Sequence, residues 1–350
     1  MINLSHSARG KFEHCPKMYD LHYNQKIRPS GTTSALLFGS AIDKACENYM
    51  LERNKFKARM LFKATWKEQE INGTLTELSS STEIEYHSND FDIDLLVQPD
   101  NELILKDSTY TSVAQLYKEG TDKTRIAYCN WVSLYRKGQF LVTKFIEWVD
   151  ENVAEVLGAQ LPIELEDEDG NKVPGFADFV IKVYGYDKPI LVDLKTAARY
   201  YDRNSVKESE QLALYYFYLK QTKFPDMERA AYLVLGKTIK KNKVKTCKSC
   251  GAVTTSTHKK CSEEIEGKRC NGEFDIVMTP ECNIQYIHDE IPQEFIDSTI
   301  EKSNIALAKI ITGEFPKNLE GCSRYYGREC PYAKYCESGC MTGLFKKEDK

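Results

Sequence analysis

Two acidic residues and a lysine in the middle of the chain each follow a short apolar segment. Asp178 comes three positions after Gly175, and Asp193 follows three apolar residues and precedes Lys195 by two. Apolar runs bounded by turn residues indicate buried strands. Because strand side chains alternate between faces, Asp193 and Lys195 share one face while Leu194 points to the other. Carboxylates are preferred ligands of Mg²⁺ and Mn²⁺, and a nearby ammonium can orient water, so this set suits metal-assisted hydrolysis of a phosphodiester.

A polar helix is predicted directly after the second strand. Gln211 and Tyr215 stand four positions apart and therefore share one helix face. Taken alone, the triplet Asp193-Leu194-Lys195 is more often the charged rim of an antiparallel hairpin. The order of the whole set, acid, acid-x-lysine and then Gln-x-x-x-Tyr, favours the catalytic interpretation.

This ordered set resembles the PD-(D/E)XK nuclease superfamily, and within it the RecB-like branch, which includes CRISPR-associated RecB-like nucleases and the nuclease domains of AddAB helicase–nucleases. The resemblance covers most of the chain from residue 4 to residue 340. It implies that Asp178 and Asp193 are metal ligands and that Leu194 contributes its backbone carbonyl to the metal. Lys195 would be the catalytic lysine, and Gln211 with Tyr215 would form the helical motif. The acid that precedes x-Lys is aspartate here, a variant that the family allows.

A third metal ligand is expected from an upstream helix over 36–53. Where the family carries G-x-x-x-H, this chain has Gly39 followed by Asp43. Aspartate is a harder donor than imidazole and can bind Mg²⁺ or Mn²⁺. The alternative is a solvated helix aspartate, in which case the site depends on the two strand carboxylates and water. Glu47 and Glu164 are secondary candidates near the cleft.

The totals favour an ordinary globular protein with metal sites. The chain has 350 residues, 41% hydrophobic residues and a net charge of −4, which argues against a globally basic nucleic-acid coat. The N-terminus has no apolar signal segment and no run is long enough to span a membrane, so we expect a cytoplasmic protein of a bacterial or phage-infected cell. Twelve cysteines, unevenly distributed, indicate metal sites rather than disulfides in a reducing compartment.

One cysteine group lies in a segment predicted to be inserted into the nuclease core. The first pair has the spacing and following glycine of a zinc knuckle, and the second pair is more loosely spaced. We predict a four-cysteine zinc site, with His258 as a possible substitute ligand, formed by Cys247, Cys250, Cys261 and Cys270. The flank 237–248 holds six lysines, which could contact phosphate or simply form a solvated surface.

A second cysteine group joins the two ends of the chain. Cys15-Pro16 and the closing Cys-Pro-x-x-x-x-Cys are similar to RecB-like nucleases that carry an iron–sulfur cluster. That resemblance implies a [4Fe–4S] cluster held by Cys15, Cys322, Cys330 and Cys336, with Cys340 as a spare ligand. The loop from Cys322 to Cys330 is longer than in those relatives. The competing interpretation is a second zinc site formed by the last four cysteines alone.

The resemblance implies an α/β fold with a restriction-endonuclease-like mixed central sheet flanked by helices, and a helical N-terminal region. We predict a nuclease domain over 1–236 and 273–350, a mobile polar insertion over 72–108, a cysteine-rich end over 313–340 and a zinc ribbon over 237–272. Further helices are expected at 56–71, 109–157, 205–221 and 291–312.

The expected function is a metal-dependent DNA exonuclease acting on single-stranded or end-bearing DNA in recombination, repair or phage DNA processing. Its partners would be DNA and a helicase or recombination protein, and its cofactors Mg²⁺ or Mn²⁺, Zn²⁺ and the iron–sulfur cluster. Two alternatives stay open. One is a DNA-binding adaptor that keeps the fold without cutting, and the other is a structure-selective endonuclease.

Overall fold

The computed structural model describes most of the chain outside one long segment. The described residues are 4–29, 34–71, 122–166, 170–197, 199–237, 240–254, 258–265, 267–281, 284–322 and 330–347. The polar insertion predicted at 72–108 lies outside them. In the described residues, no helix combines the length and the apolar character needed to cross a membrane.

The described chain contains both helices and strands, several of each in consecutive runs. The α-helices are α1 (His6–His14), α2 (Pro16–Tyr19), α3 (Ser34–Glu52), α4 (Lys55–Ile71), α5 (Asp122–Asn152), α6 (Glu210–Thr222), α7 (Gln293–Ile311), α8 (Leu319–Cys322) and α9 (Ala333–Ser338). A π-helix (Asp20–Asn24) and a 3₁₀ turn (Arg203–Ser205) accompany them. The strands are β1 (Ile27–Pro29), β2 (Val153–Glu166), β3 (Lys172–Val183), β4 (Tyr186–Ala197), β5 (Arg229–Gly236), β6 (Lys240–Cys247), β7 (Val253–Thr254), β8 (Glu264–Ile265), β9 (Lys268–Arg269), β10 (Phe274–Glu281), β11 (Ile284–Asp289) and β12 (Leu344–Lys346).

A five-stranded mixed sheet forms the centre of the molecule. Its order is β11-β5-β4-β3-β2, in which β4 and β5 run parallel and the other neighbours run antiparallel. The parallel pair requires a crossover, which α6 supplies between β4 and β5. Helices cover both faces of the sheet. The predicted mixed α/β architecture is therefore confirmed.

The side chains of β4 point alternately to the two faces of the sheet, so this one strand contributes to both halves of the core. Val192 and Leu194 pack into a cluster with helices α3, α4 and α5, whereas Leu191 packs into a second cluster with α6. Each face buries aliphatic and aromatic side chains, which is the main source of folding free energy. Asp193 and Lys195 belong by alternation to the face that α6 covers.

The start and the end of the chain meet on one side of the molecule. Strands β1 and β12 pair antiparallel, with Ile27 opposite Lys346. A buried cluster combines Cys15, Met18 and Leu21 with residues near the C-terminus. Helices α1 and α7 share a further apolar cluster. The end of the chain thus packs as part of the N-terminal region.

The segment between β5 and β11 forms a separate small sheet of order β10-β6-β7. Strand β6 pairs with β10 along its whole length, from Lys240 opposite Glu281 to Cys247 opposite Phe274. Residues 274–281, which the sequence assigns to the nuclease domain, therefore pair with the inserted strand and not with the central sheet. The domain boundary at 272 stays a prediction.

Two predicted helix bounds differ from the structure by five residues, and the others that the structure describes differ by less. Helix α5 ends at Asn152, not near residue 157, because Val153 enters β2 and pairs opposite Val183 on β3. Helix α6 begins at Glu210, not at 205. Ser209 forms its N-cap, since its hydroxyl accepts from the backbone N–H of Leu212.

Candidate active site

Asp178 lies where β3 and β4 stop pairing. The last pair toward this end joins Phe179 to Val192. Beyond it, the Asp178 side chain bridges to the neighbouring strand, where its Oδ2 accepts from the backbone N–H of Leu194 at 2.8 Å. Gln160 Nε2 on β2 donates to the other oxygen, Oδ1, at 3.3 Å. Both carboxylate oxygens of Asp178 are therefore engaged.

Asp193 and Lys195 lie together on β4, as the alternation predicts. Lys195 Nζ is 2.6 Å from Asp193 Oδ2, and Asp193 is only 4% exposed. Burial raises the pKa of Asp193 to about 6, with Lys195 opposing that rise and Asp178 adding to it. Burial alone would lower the pKa of Lys195, but the Asp193 carboxylate raises it above its ordinary value. The ammonium is therefore charged at neutral pH.

Asp43 approaches the same place from α3. Gly39, one turn earlier, faces β4, where a Cβ would make an ordinary van der Waals contact with Thr196 Oγ1 at 3.9 Å. Burial, with the nearby carboxylate of Asp178 adding to its effect, raises the pKa of Asp43 to about 7. The predicted upstream carboxylate thus lies beside the two strand carboxylates. Glu164 is instead exposed on β2.

Helix α6 brings Gln211 and Tyr215 to this group. Tyr215 lies directly over Gly175, where any Cβ would collide with its ring and hydroxyl. Gln211 lies beside the Tyr215 side chain, and burial together with the charges of Asp193 and Asp178 raises the pKa of Tyr215. Because Gly175 has no Cβ, helix α6 can pack closely against β3 at this point.

Three carboxylates around one ammonium leave an excess of negative charge, with Asp193 buried and Asp43 and Asp178 half-buried. Burial raises the pKa of Asp178 as it does those of Asp43 and Asp193. A hard divalent cation with oxygen ligands would neutralise this excess, so the donor set fits Mg²⁺ or Mn²⁺. Among the described residues, the carboxylate oxygens of Asp43, Asp178 and Asp193 do not all lie within 4.8 Å of one another.

Further residues reach the site without any signal in the sequence. Tyr232 faces Asp193 across the parallel pair, and its hydroxyl lies 2.6 Å from the Ser209 hydroxyl that caps α6. The Tyr201 ring packs edge-on against Tyr232. His6, at the start of α1, is close enough to Lys195 for the ammonium to help lower its pKa, after burial and Arg9. Only the tertiary arrangement identifies these neighbours.

A buried arginine connects α1 to α6, the site helix that carries Gln211 and Tyr215. Arg9 is 1% exposed and forms an ion pair with Glu210, the residue before Gln211. Its other guanidinium nitrogen donates to Ser303 Oγ at 2.7 Å on α7. Lys302 on the same helix lies 2.9 Å from Glu210. Three helices therefore meet at the N-terminus of α6.

The four cysteines of the inserted sheet form a compact group. Sγ of Cys247 lies 3.6 Å from that of Cys270, and Sγ of Cys250 lies 3.6 Å from that of Cys261. All four sulfurs lie within 4.8 Å of one another. Tetrahedral bonds of about 2.3 Å to one ion would place sulfurs about 3.8 Å apart, so the group fits a single metal ion. His258 is exposed and lies outside this ligand group.

The cysteines from the two chain ends instead surround a cavity of about 340 Å³. Its lining includes Cys15, Cys322, Cys330 and Cys336, together with Met18 and Tyr332. The backbone N–H of Asn318 approaches Cys15 Sγ at 3.4 Å, and burial raises the pKa of Cys330 to about 11. Cys340 is exposed, and its thiol contacts Thr342 at 3.2 Å. It does not line the cavity.

Comparison with known proteins assigns the family. No curated protein matches the chain. The family model of the PD-(D/E)XK nuclease superfamily matches residues 3–337, a span that contains the carboxylate group, Lys195 and the helix that carries Gln211. By this match over nearly its whole length, and with a mixed sheet flanked by helices, the chain belongs to the PD-(D/E)XK nuclease superfamily.

Proposed function

We propose that this nuclease is a metal-dependent DNA exonuclease of the RecB-like branch, acting on single-stranded or end-bearing DNA. The observation that carries the proposal is the convergence of Asp43, Asp178 and Asp193 around Lys195, with Tyr215 alongside. These residues come from α3, β3, β4 and α6. Recombination, repair or phage DNA processing, with a helicase or recombination protein as partner, is the setting that the branch suggests.

The residues of the chain divide the chemistry among them. Asp43, Asp178, Asp193 and the carbonyl of Leu194 would hold Mg²⁺ or Mn²⁺, which when bound polarises the scissile phosphate and acidifies a water. Lys195 carries a fixed positive charge that orients the attacking water and offsets charge developing on the phosphate. Gln211 and Tyr215 present neighbouring polar groups that orient the DNA backbone or the lysine.

The two cysteine groups are proposed to hold different cofactors. Zinc is supported at Cys247, Cys250, Cys261 and Cys270 by the short sulfur separations and the closed, local group. A [4Fe–4S] cluster is supported at Cys15, Cys322, Cys330 and Cys336 by the cavity that they line, because each thiolate of such a cluster binds a different iron atom. Both would be structural.

The first experiment compares Asp193→Asn with Asp187→Asn on labelled linear DNA in Mn²⁺. Both aspartates are on β4, but Asp187 is exposed at the opposite end of the strand. We expect the first change to abolish degradation while DNA binding persists, and the second to leave both intact. Equal activity of the two variants would refute the catalytic role of Asp193.

The second experiment separates the modes of action with a substrate panel. Linear single strands, linear duplexes and covalently closed single-stranded circles are compared, using protein purified without oxygen. An exonuclease degrades the linear substrates and spares the circle. Cleavage of the circle would instead indicate a structure-selective endonuclease, and binding without cleavage in either metal would indicate an adaptor.

A further inference from the structure

Gln160 has an unusual backbone for a residue within a strand. Its φ is +47°, in the left-handed region that residues other than glycine and asparagine rarely adopt. It lies inside β2, where its neighbours Ala159 and Leu161 pair opposite Phe179 and Ala177 on β3. The one position between those pairs on β3 is Asp178. The backbone distortion therefore lies directly opposite a catalytic carboxylate.

The distortion coincides with a contact to that carboxylate. Gln160 Nε2 donates to Asp178 Oδ1 at 3.3 Å, while the backbone N–H of Leu194 donates to Oδ2 at 2.8 Å. A carboxylate held at both oxygens has a defined plane, and its remaining lone pairs face a defined direction. The two donors come from the two strands on either side of β3.

We propose that Gln160 is a positioning residue, whose side-chain amide orients the Asp178 carboxylate for metal binding. The inference rests on the proposed function of Asp178 as a metal ligand. Groups that hydrogen-bond a metal ligand from behind set its orientation, and losing one weakens metal binding by about tenfold or more. The strained φ persists because the surrounding β2–β3 pairing holds the amide where the carboxylate needs it.

Two substitutions separate the amide from the backbone. Gln160→Met keeps the length and the strained backbone but removes the donor, whereas Gln160→Gly removes the donor and relieves the strain. We expect both to weaken Mn²⁺ binding about tenfold, measured without DNA from the electron paramagnetic resonance signal of free Mn²⁺. The midpoint of thermal unfolding should rise in the glycine variant alone. Gln160→Asn, which tolerates this backbone and keeps an amide, should restore part of the binding.

Arg53→Gly is the matched control. Arg53 also has a positive φ, +54°, but it follows the end of α3 and stacks on Tyr49. This change should leave Mn²⁺ binding unaltered. If the methionine and glycine variants bind Mn²⁺ as the wild type does, Gln160 has no positioning role. If the wild-type protein itself binds no Mn²⁺ and cuts no DNA, the proposed function fails, and that outcome does not depend on Gln160.

Discussion

The two cysteine groups contrast in sequence span, in geometry and in what surrounds them. The inserted group closes a loop of 24 residues from Cys247 to Cys270, and its sulfurs lie within 4.8 Å of one another. The terminal group spans 322 residues from Cys15 to Cys336 and surrounds a cavity of about 340 Å³. The entropic cost of closing a loop grows by about 0.6 kcal/mol with each doubling of its length. A cofactor that closes the longer loop should therefore stabilise the folded state by about 2 kcal/mol more than one that closes the shorter loop.

The two cysteine groups also differ in the structural elements that they adjoin. The inserted group lies beside its own strands, β6, β7 and β10. The terminal group adjoins α1, and Arg9 on α1 forms an ion pair with Glu210 at the start of α6. A metal ion in the inserted group would stabilise that small sheet, whereas a cofactor that joins the chain ends would also support α6. We therefore expect loss of the terminal group to impair the nuclease and loss of the inserted group to spare it.

The largest effect is expected from Cys330→Ser. Cys330 is 7% exposed and lines the terminal cavity, so its loss should remove the proposed cluster and the anchoring of α1. We expect loss of iron and of visible colour, a marked fall in the midpoint of thermal unfolding, and little DNA degradation. Iron analysis and calorimetry on anaerobically purified protein test this. A colourless wild-type protein that contains only zinc would contradict the assignment.

A smaller effect is expected from Arg9→Met, which breaks the link between α1 and α6 and leaves both cofactors in place. Removing the guanidinium leaves Glu210 with Lys302 alone and Ser303 with its bond to Thr299, and the loss of the buried contacts should cost about 1–3 kcal/mol in the free energy of unfolding. DNA degradation should fall while iron and zinc contents stay constant. Chemical denaturation and metal analysis give the readouts, and Arg9→Lys should recover part of the loss. Unchanged activity would show that α1 does not support the site helix.

A local effect is expected from Cys247→Ser. Backbone N–H groups of Cys250 and Ser249 lower the pKa of Cys247 against the opposing effect of burial, so a thiolate is favoured there. We expect zinc to be lost and the inserted sheet to become sensitive to proteolysis, while degradation of short linear DNA is retained. Zinc analysis and limited proteolysis measure this. Loss of all activity would mean that the insertion contributes to the catalytic core.

The smallest effect is expected from Cys340→Ser. Its thiol is exposed and lies outside the cavity lining. Iron content, thermal midpoint and activity should match the wild type. Loss of iron in this variant would instead make Cys340 a ligand and would reduce the contrast between the two groups.

The contrast between the cysteine groups was only half visible in the sequence. Cys247-x-x-Cys250-Gly251 is a local pattern whose geometry depends on a few neighbouring residues, so spacing alone predicts a metal knuckle. The association of Cys15 with Cys330 depends on a family resemblance, because nothing in local spacing relates the two chain ends. The structure places both beside one cavity through the packing of α2, the π-helix and β1 against α9 and β12.

Local pattern was sufficient for several parts of the candidate site. Strand alternation placed Asp193 and Lys195 on one face, and helical spacing placed Gln211 beside Tyr215. Each of these depends on a period of two or four residues, which the sequence contains in full. The convergence of Asp43 with the strand carboxylates was suggested only by the family pattern.

Tertiary structure alone decided the supporting residues. Gln160 reaches Asp178 because β2 pairs with β3 in one register, Tyr232 reaches the cap of α6 because β5 lies parallel to β4, and Arg9 reaches Glu210 across two hundred residues of chain. A hydrogen bond between distant segments depends on how whole elements pack, and no short stretch of sequence contains that information. Residue type and period determined which groups are available for chemistry, and the packing of the sheet and helices determined which of them meet.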